Sequence, residues 1–326
     1  MGGFWSRFGI KNKRNVANFR FRAAGDLALL NVRLAAYAEA RKLAAARANL
    51  SFEQPGSVEL RSKVSTQADL EAQWATFWLR ELGLTFAYHR KLWELAYVMQ
   101  ALHRAGFIAE GRSGVGFGCG REIIPSYLAA RGIDVLATDL PEDAKTATAW
   151  IETGQYAAAL SDLHFAHLCT REVFDARVKW RNVDMNDVPK DLGTFDFCWS
   201  ICAIEHLGTI ERAIDFVENA MAHVKPGGMA VHTTEYAFLS RDRPIEKSQT
   251  VLFTRADFRV LQDRLRAGGH ELAPLDFDPG DGPMDLFIDG PPYWHGEPHL
   301  PENLHMKATY NGVPTTCFGL IIRKAG

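Results

Sequence analysis

The sequence has few cysteines, no long apolar run and almost no net charge, and each shortage argues against a class of protein. Five cysteines are scattered over 326 residues, which favours reduced thiols in the cytoplasm over a disulfide framework. No apolar run approaches the roughly 20 residues that cross a bilayer, and no secretory apolar segment is expected at the start. The net charge of −2 provides no general attraction to nucleic acid.

Acidic residues are also missing at the start of the chain, where six basic residues precede Asp26. Residues 1–23 are therefore predicted to be a basic, disordered arm, or an arm that makes weak peripheral contact with an anionic surface such as a membrane. Apolar residues at helical spacing then predict a helix from Ala24 to about Leu50. Two further helices are expected from about Ser65 and Ala87, so residues 1–107 form a predominantly helical N-terminal region.

A glycine-rich segment, Gly114 to Glu122, lies between a short apolar run and a run typical of a helix. A second apolar run, Ile133 to Thr138, ends in Asp139. This order predicts a strand, a glycine loop, a helix, and a second strand that ends in a carboxylate. Glycines let a ligand approach the backbone, and a carboxylate at that place can accept hydrogen bonds from ribose hydroxyls. The sequence therefore predicts half of a nucleotide pocket.

Two common nucleotide loops do not fit this segment. In the three frames that start at Gly114, Gly116 and Gly118, the dinucleotide pattern G-x-G-x-x-G lacks its third glycine. A phosphate-binding P-loop would require lysine after its last glycine, whereas Gly120 is followed by Arg121. An NAD-linked oxidoreductase is thus disfavoured, although its fold alternates strands and helices in the same way.

The downstream segments continue the alternation of strands and helices. Val183 to Asn186 follows a third strand-like run, and Phe195 to Ser200 has the continuous apolar character of a buried parallel strand. An amphipathic run extends from about Ile210 to Val224, a turn is expected at Lys225 to Gly228, and Met229 to Thr234 is the next strand. The alternation predicts a doubly wound parallel sheet.

These segments, in this order, resemble the class I S-adenosylmethionine-dependent methyltransferases. The segments His89-Arg90-Lys91-Leu92-Trp93-Glu94 and Val231-His232-Thr233-Thr234-Glu235 further resemble a group of uncharacterised methyltransferases often associated with polysaccharide or secondary-metabolite genes. The resemblance implies an α/β fold with a Rossmann-like, doubly wound, seven-stranded sheet whose last strand is antiparallel, preceded by the α-helical N-terminal region. It places the methyltransferase domain at residues 108–326, with final strands at His270–Phe277 and Thr316–Arg323 and a lid-like insertion at about 278–310.

The resemblance also implies S-adenosylmethionine as the cofactor. Asp139 would bind the ribose, and Asp184 the adenine amine, beside an apolar neighbour on the ring. Two positions depart from the family pattern: Gly116 stands where an acidic residue is usual, and Glu122 replaces the third small residue of the loop. The expected cofactor contacts are Phe117, Gly118, Cys119, Gly120, Glu122, Asp139, Leu140, Asp184, Met185, Ser200 and Ile201.

Three residues are candidates for catalysis on the acceptor side. His206 follows the fourth strand, at the edge where ligands bind in open α/β sheets, and a neutral imidazole can take a hydroxyl proton. Glu205 beside it is expected to position groups, and Glu235 ends the fifth strand. Contacts with the substrate or from a lid are expected from Tyr293, His295 and His299.

No metal is expected. Pro298 and Pro301 prevent a helix that would bring His295 and His299 to one face. Hard cations also prefer carboxylates to imidazoles.

The leading hypothesis is a methyltransferase that uses in-line transfer to methylate an oxygen of a sugar, a glycan or a small metabolite. Methylation of nitrogen or carbon in a small molecule is an open alternative, as is a catalytically silent protein that binds the adenosyl group. The expected partner is a small-molecule or glycan acceptor, and the sequence does not specify an oligomeric state.

Overall fold

The computed structural model describes residues 24–141, 160–291 and 304–326. In these ranges the helices are α1 (Ala24–Arg47), α2 (Gln67–Glu71), α3 (Gln73–Glu81), α4 (Arg90–Arg104), α5 (Ile124–Ala129), α6 (Arg171–Arg177), α7 (Ile210–Ala220), α8 (Arg255–Ala267) and α9 (Pro283–Leu286). The strands are β1 (Ser62–Val64), β2 (Ser113–Gly116), β3 (Asp134–Asp139), β4 (Val178–Asn182), β5 (Phe195–Ile201), β6 (Val224–Tyr236), β7 (Glu271–Leu272), β8 (Leu275–Asp276), β9 (Ile288–Asp289), β10 (Lys307–Tyr310) and β11 (Val313–Arg323).

The sheet runs in the order β4-β3-β2-β5-β6-β11-β1-β8. Neighbours from β4 to β6 are parallel, and β11 is antiparallel to β6. The predicted Rossmann-like sheet with a late antiparallel strand is confirmed. The strand count differs from the predicted seven, because the described part of the sheet has 11 strands, several of them two to four residues long.

The central strands form where the apolar runs predict them. Phe197, Cys198 and Trp199 of β5 are completely buried, as is typical of a parallel strand covered on both faces. Because β2, β3, β5 and β6 are parallel, the loops that follow them meet at one edge of the sheet. That edge carries most of the residues that the sequence singles out.

One predicted boundary is wrong. The turn expected at Lys225 to Gly228 lies inside β6, which begins at Val224 rather than at Met229. The pairing of β6 with β5 shifts register between Phe195 and Phe197, so the extra residues form an irregularity in the strand. Pro226 is tolerated there because it is exposed at the start of the strand.

The N-terminal region contributes a strand that the helical prediction misses. β1 pairs antiparallel with β11 and parallel with β8. At three residues it is too short for a periodic signal. Helix α4 packs on β5, β6 and β11, so this region shares a core with the sheet and covers the site edge.

The last predicted strand pair is only half correct. β11 includes the expected Thr316–Arg323, but the expected strand His270–Phe277 is two short strands. Pro274 separates them: β7 pairs with β11, whereas β8 pairs with β1. A proline has no N–H for the ladder, so the chain changes partner there.

The described part of the predicted insertion at 278–310 contains α9, β9 and β10. The fully buried carboxylate of Asp289 accepts a 2.8 Å hydrogen bond from the Tyr37 hydroxyl. It also pairs with Arg33 at 3.4 Å. Helix α1 therefore anchors one end of the insertion, and residues 292–303 lie outside the described ranges.

Candidate functional site

The glycine loop after β2 has the backbone that the sequence predicts. Gly118 and Gly120 have φ angles of 62° and 51°, in the left-handed region that favours glycine. A Cβ at Gly118 would lie 2.8 Å from Cβ of Ala203 and 3.3 Å from Sδ of Met185. Only a glycine lets the loop pass this closely under the segment that follows β5.

Asp139 fixes the loop to the end of β3. Its Oδ2 accepts from the Gly120 N–H at 2.9 Å, and its Oδ1 accepts from the Leu140 N–H at 2.8 Å. Burial raises the pKa of this carboxyl, although the two N–H donors oppose the rise. Asp139 therefore stands beside the loop, where the ribose contact is expected, and that contact remains a prediction.

The segment after β4 brings an apolar side chain to the loop. Met185 is buried, with its sulfur near Gly118, which suits the expected apolar wall for an adenine. Asp184 is exposed, and its Oδ1 accepts from the backbone N–H and side-chain amide of Asn186 at 2.8 and 3.2 Å. Its expected contact with the adenine amine would have to share this oxygen or use the other.

Two residues expected to contact the cofactor use their side chains elsewhere, so their contacts remain predictions for the backbone. Phe117 is completely buried and packs edge-on against Phe216 of α7, with ring centroids 5.2 Å apart. The buried Ser200 hydroxyl lies 2.8 Å from Nδ1 of His232 inside the sheet. Only the backbone of these two residues is left for a ligand, whereas Ile201 is half-buried at the site edge.

Glu122 lies at the far end of the loop and is 8% exposed. Its Oε1 accepts a 2.6 Å hydrogen bond from the Trp199 indole N–H, and the Cys119 thiol also bonds to this carboxyl. Burial raises the pKa of Glu122 to about 8. The carboxyl is thus mostly protonated at neutral pH.

A group of buried and half-buried polar side chains, here called the acceptor-side cluster, lies beyond the loop. Sequence reasoning missed most of this cluster, because its members are far apart in the sequence. They come from helix α4, from the turn that follows β5, and from the two strands β6 and β11. The members are Arg90, Lys91, Glu94, Cys202, Glu205, His206, Thr233, Glu235 and Cys317. Charged groups on the buried face of an otherwise apolar helix are a signal that could have indicated the α4 members.

Glu94 is the centre of the cluster and is completely buried. Its carboxylate accepts from the Thr233 hydroxyl at 2.6 Å and from the Cys317 thiol at 2.9 Å. The Lys91 ammonium lies 3.7 Å away. Burial acts to raise the pKa of Glu94, but Lys91 and the hydrogen-bond donors outweigh it and lower the pKa overall. Glu94 therefore stays ionised, and its negative charge balances the positive charge of Lys91.

The chain turns sharply as it leaves β5. Cys202 has a φ of 45°, a left-handed conformation that is strained for a residue with a side chain. Its N–H donates to the Thr233 hydroxyl oxygen at 3.0 Å, and its sulfur lies 3.6 Å from that of Cys317. This turn delivers Glu205 and His206 to the site edge.

His206 and Glu205 form an adjacent pair. His206 Nδ1 lies 2.9 Å from the carbonyl oxygen of Gln249, which can only accept, so Nδ1 carries the proton. Nε2 lies 3.6 Å from Oε1 of Glu205. Burial lowers the pKa of His206 to about 4. Burial, together with the nearby Glu235, raises the pKa of Glu205. At neutral pH the pair is therefore a neutral imidazole beside a largely protonated carboxyl.

Glu235 is already occupied by partners. Its Oε2 accepts from Arg90 and from the Thr315 hydroxyl, each at 2.7 Å, and its Oε1 lies 2.5 Å from the second Arg90 nitrogen. The two-pronged pair therefore occupies both oxygens of this carboxylate. Its catalytic role remains a prediction, and the geometry gives it a structural partner.

Among the described residues, two groups of ligand-type side chains are close enough to hold a metal: Glu94 with Cys202 and Cys317, and Cys202 with Glu205 and Glu235. Several of their ligand atoms are already used in the hydrogen bonds and ion pair described above. The positive charges of Arg90 and Lys91 would also repel a metal ion bound beside them. That no metal is used remains a prediction.

The three residues expected to contact the substrate or form a lid, Tyr293, His295 and His299, lie outside the described residues. The nearest described part of that segment is Leu304 and His305. The ring of His305 stacks on that of His89, just before α4, with centroids 5.3 Å apart. The segment therefore returns to the start of the helix that carries Arg90 and Lys91.

Comparisons with known proteins agree with this geometry. Residues 115–232, which run from the glycine loop through the turn after β5 into β6, match a family model described as a methyltransferase domain. The match covers about a third of the chain. A search of curated proteins gave no match.

Several solved structures are similar at low identity. One is magnesium protoporphyrin IX methyltransferase from Synechocystis PCC 6803 with bound SAH (10% identity, 76% of this chain and 92% of that chain, TM-score 0.41). Another is an S-adenosylmethionine-dependent methyltransferase from Clostridium acetobutylicum ATCC 824 (10%, 74% and 93%, 0.40), and a third is the DhpI-SAH complex (16%, 72% and 86%, 0.40). The covered share of the similar chains ranges from 60% to 98%. At these scores the likenesses do not define the site.

The strand order, the glycine loop and the matched family model lead to one assignment. Residues 115–232 are a methyltransferase domain, and they lie in the Rossmann-like sheet expected of the class I enzymes that the sequence resembles.

Proposed function

We propose that this enzyme methylates a hydroxyl oxygen of a sugar, a glycan or a small polar metabolite. S-adenosylmethionine, when bound, supplies the electrophilic methyl group and a good leaving group. The chain has to align the acceptor, exclude water and take up the hydroxyl proton.

The state of His206 is the observation that carries this proposal. The Gln249 carbonyl holds its Nδ1 proton, so the neutral ring keeps its lone pair on Nε2. The pKa, which burial lowers to about 4, leaves this nitrogen unprotonated at neutral pH. A neutral imidazole at the carboxyl edge of β5 can accept the proton that an acceptor hydroxyl loses during methyl transfer.

The neighbouring Glu205 supports this proton uptake. Its carboxyl holds a proton at neutral pH, because burial raises its pKa. When His206 takes the hydroxyl proton, the new N–H of the imidazolium lies beside Oε1 of Glu205, which is 3.6 Å from Nε2, and an unprotonated oxygen of that carboxyl can accept from it. Glu205 keeps its own proton, and His206, whose side chain is 19% exposed, releases the proton that it took up to solvent.

The charge of Lys91 favours an oxygen acceptor over an amine. Its side chain keeps 26% of its surface exposed, and that of His206 keeps 19%. Burial acts to lower the pKa of Lys91, but the groups around it raise the pKa overall, so the ammonium stays charged. An ammonium repels a cationic amine, whereas it can donate to hydroxyl, ring or phosphate oxygens of an acceptor.

The residues present fit the cofactor on the other side of the site. Gly118 and Gly120 leave two positions of the loop without a side chain, Met185 offers an apolar wall, and Asp139 stands at the strand end. We propose that these residues bind the adenosyl part, with Asp139 on the ribose.

The test is methyl transfer from a radiolabelled donor to matched acceptors that carry either hydroxyl or amine groups. The key variant is His206→Gln, which removes the base. The matched control is His223→Gln, because Nδ1 of His223 also lies 2.9 Å from a backbone carbonyl, that of Gly193. His223 precedes β6 and so lies at the opposite edge of the sheet.

The expected result is transfer to hydroxyl acceptors, a decrease of roughly 10²–10⁴-fold for His206→Gln, and little change for His223→Gln. Transfer to amines alone, or an equal loss in both variants, would contradict the proposal. Donor binding without transfer to any acceptor would instead favour a catalytically silent adenosyl-binding protein.

We further propose that the enzyme works in the cytoplasm on a small-molecule or glycan acceptor. All five cysteines are free and buried, which suits a reducing compartment. Among the described residues, no helix has both the length and the apolar character needed to cross a membrane. The proposed contact of the basic arm with an anionic surface lies outside the described residues.

A further inference from the structure

The end of β2 has a glycine, Gly116, at the position where the methyltransferases that this chain resembles usually have an acidic residue. A Cβ at Gly116 would lie 2.4 Å from Sγ of Cys119 and 2.5 Å from Cζ2 of Trp199. Both contacts are too short for any side chain at this position. The family's usual acidic residue therefore cannot be accommodated at position 116.

The indole of Trp199 fills this space and holds another carboxyl there. Trp199 is the register partner of Gly116 on the neighbouring strand β5. Its indole N–H donates to Oε1 of Glu122 at 2.6 Å. The Glu122 carboxyl thus reaches the end of β2 from the other end of the glycine loop.

No lysine or arginine forms an ion pair with Glu122 within the described ranges, although its side chain is more than nine-tenths buried. The other ionisable groups that influence it are Cys119 on the same loop, Asp139 at the end of β3 and Lys91 on α4. A buried carboxyl without a cationic partner is costly unless it stays protonated or receives a cation from outside. The α-ammonium group of the methyl donor is such a cation.

We propose that Glu122, held in place by the Trp199 indole, is the carboxylate that binds the α-ammonium group of the methyl donor, in place of a side chain at position 116. This proposal rests on the assignment of S-adenosylmethionine as the cofactor. It adds a defined subsite for the amino acid end of that molecule.

The proposal requires that donor binding releases a proton. Burial raises the pKa of Glu122 to about 8 in the unliganded protein, so below that pH the carboxyl must lose its proton to pair with an ammonium. Affinity should therefore rise as the pH increases from 6 to 8, by up to roughly tenfold per pH unit, and then level off.

The experiment is calorimetry with S-adenosylhomocysteine and with the same thioether lacking its α-amino group. Both ligands are titrated into the full chain and into Glu122→Gln. The control is Asp196→Asn, which also replaces a carboxylate by an amide. Asp196 lies at the opposite end of β5, bonded to Ser113 and Lys225.

We expect the wild-type protein and Asp196→Asn to prefer the ligand with the amino group by tenfold or more. In Glu122→Gln that preference should fall below threefold. Titrations in two buffers of different ionisation enthalpy at pH 7 should show proton release in the wild type and none in Glu122→Gln.

Thermal unfolding of the unliganded proteins checks that Glu122→Gln is folded. The folded pKa of Glu122 is raised, so its protonated form is favoured by folding, and stability is lost as the pH rises from the ordinary carboxyl value towards about 8. Glu122→Gln removes this loss. It should therefore melt at a higher temperature than the wild type at pH 9 and at a similar temperature at pH 5.

The outcomes separate two failures. If S-adenosylhomocysteine binds and Glu122→Gln still discriminates between the ligands as the wild type does, the ammonium subsite is refuted and the cofactor assignment stands. If neither ligand binds the folded wild-type protein, the cofactor assignment and the subsite are both refuted.

Discussion

The pair between Arg90 and Glu235 should determine much of the stability of the acceptor side. Its two contacts of 2.5 and 2.7 Å join α4 to the end of β6, and its side chains are only 15% and 8% exposed. Removal of one partner from a buried pair costs about 3–5 kcal/mol, because the other charge stays buried without compensation. Glu235→Gln keeps an oxygen for the Thr315 hydroxyl, so we expect about 3 kcal/mol, at the lower end of that range.

Urea unfolding at pH 7 and 25 °C measures this cost. Arg90→Met should also lower the free energy of unfolding by about 3–5 kcal/mol, since it leaves the Glu235 carboxylate buried. The double variant should cost less than the sum of the two, by about 2 kcal/mol, because the two side chains contact each other.

A surface pair supplies the control. Arg171 and Asp175 on α6 are joined by a 2.7 Å contact of similar length, but their side chains are 49% and 47% exposed. Asp175→Asn should cost less than about 1 kcal/mol, as is usual for surface pairs. The reasoning would be refuted if Glu235→Gln cost no more than Asp175→Asn. Lost methyl transfer at unchanged stability would instead support a catalytic Glu235.

Further predictions concern the cofactor side. Asp139→Asn should weaken the binding of S-adenosylhomocysteine by roughly ten- to a hundredfold in calorimetry, because charge-assisted hydrogen bonds contribute about 1.5–3 kcal/mol; a loss below twofold would contradict the ribose contact. Gly118→Ala should abolish binding, since its Cβ would lie 2.8 Å from Ala203. Gly227→Ala, at a φ of 75° with nothing within 4 Å of its Cβ, should cost only about 1–2 kcal/mol of stability and leave binding intact.

The cofactor side could be predicted from the sequence because its signals are local. The left-handed φ angles of Gly118 and Gly120 follow from a glycine pattern nine residues long, and Asp139 is recognised from the apolar run that precedes it. The start of α8 is equally local: the Thr254 N–H donates to Asp257 at 2.8 Å in a capping box whose two residues are three positions apart in the sequence. Each of these features is determined by residues that are close to one another in the sequence.

The position of Glu122 shows where local reasoning ends. Sequence reasoning notes that Gly116 and Glu122 both depart from the family pattern, but treats the two as separate. Their connection depends on the register that places Gly116 beside Trp199 on β5, about 80 residues later in the sequence. A pairing of strands that distant has no local signature, so the replacement of one carboxylate by another is visible only in the fold.

The acceptor side could not be assembled from the sequence for the same reason. Its two partly exposed groups, Lys91 and His206, come from a helix before the glycine loop and a turn after β5. The buried Glu94 positions Lys91 through their ion pair. The Gln249 carbonyl, which accepts from Nδ1, determines the tautomer of His206. Acceptor specificity therefore depends on how α4 packs against β5, β6 and β11.

A Glu94→Gln variant should accordingly change KM for the acceptor while leaving the affinity for S-adenosylhomocysteine within about twofold. The reason is that the hydrogen-bond partners of Glu94 do not include the glycine loop. An equal loss of cofactor affinity would place Glu94 in the cofactor site instead.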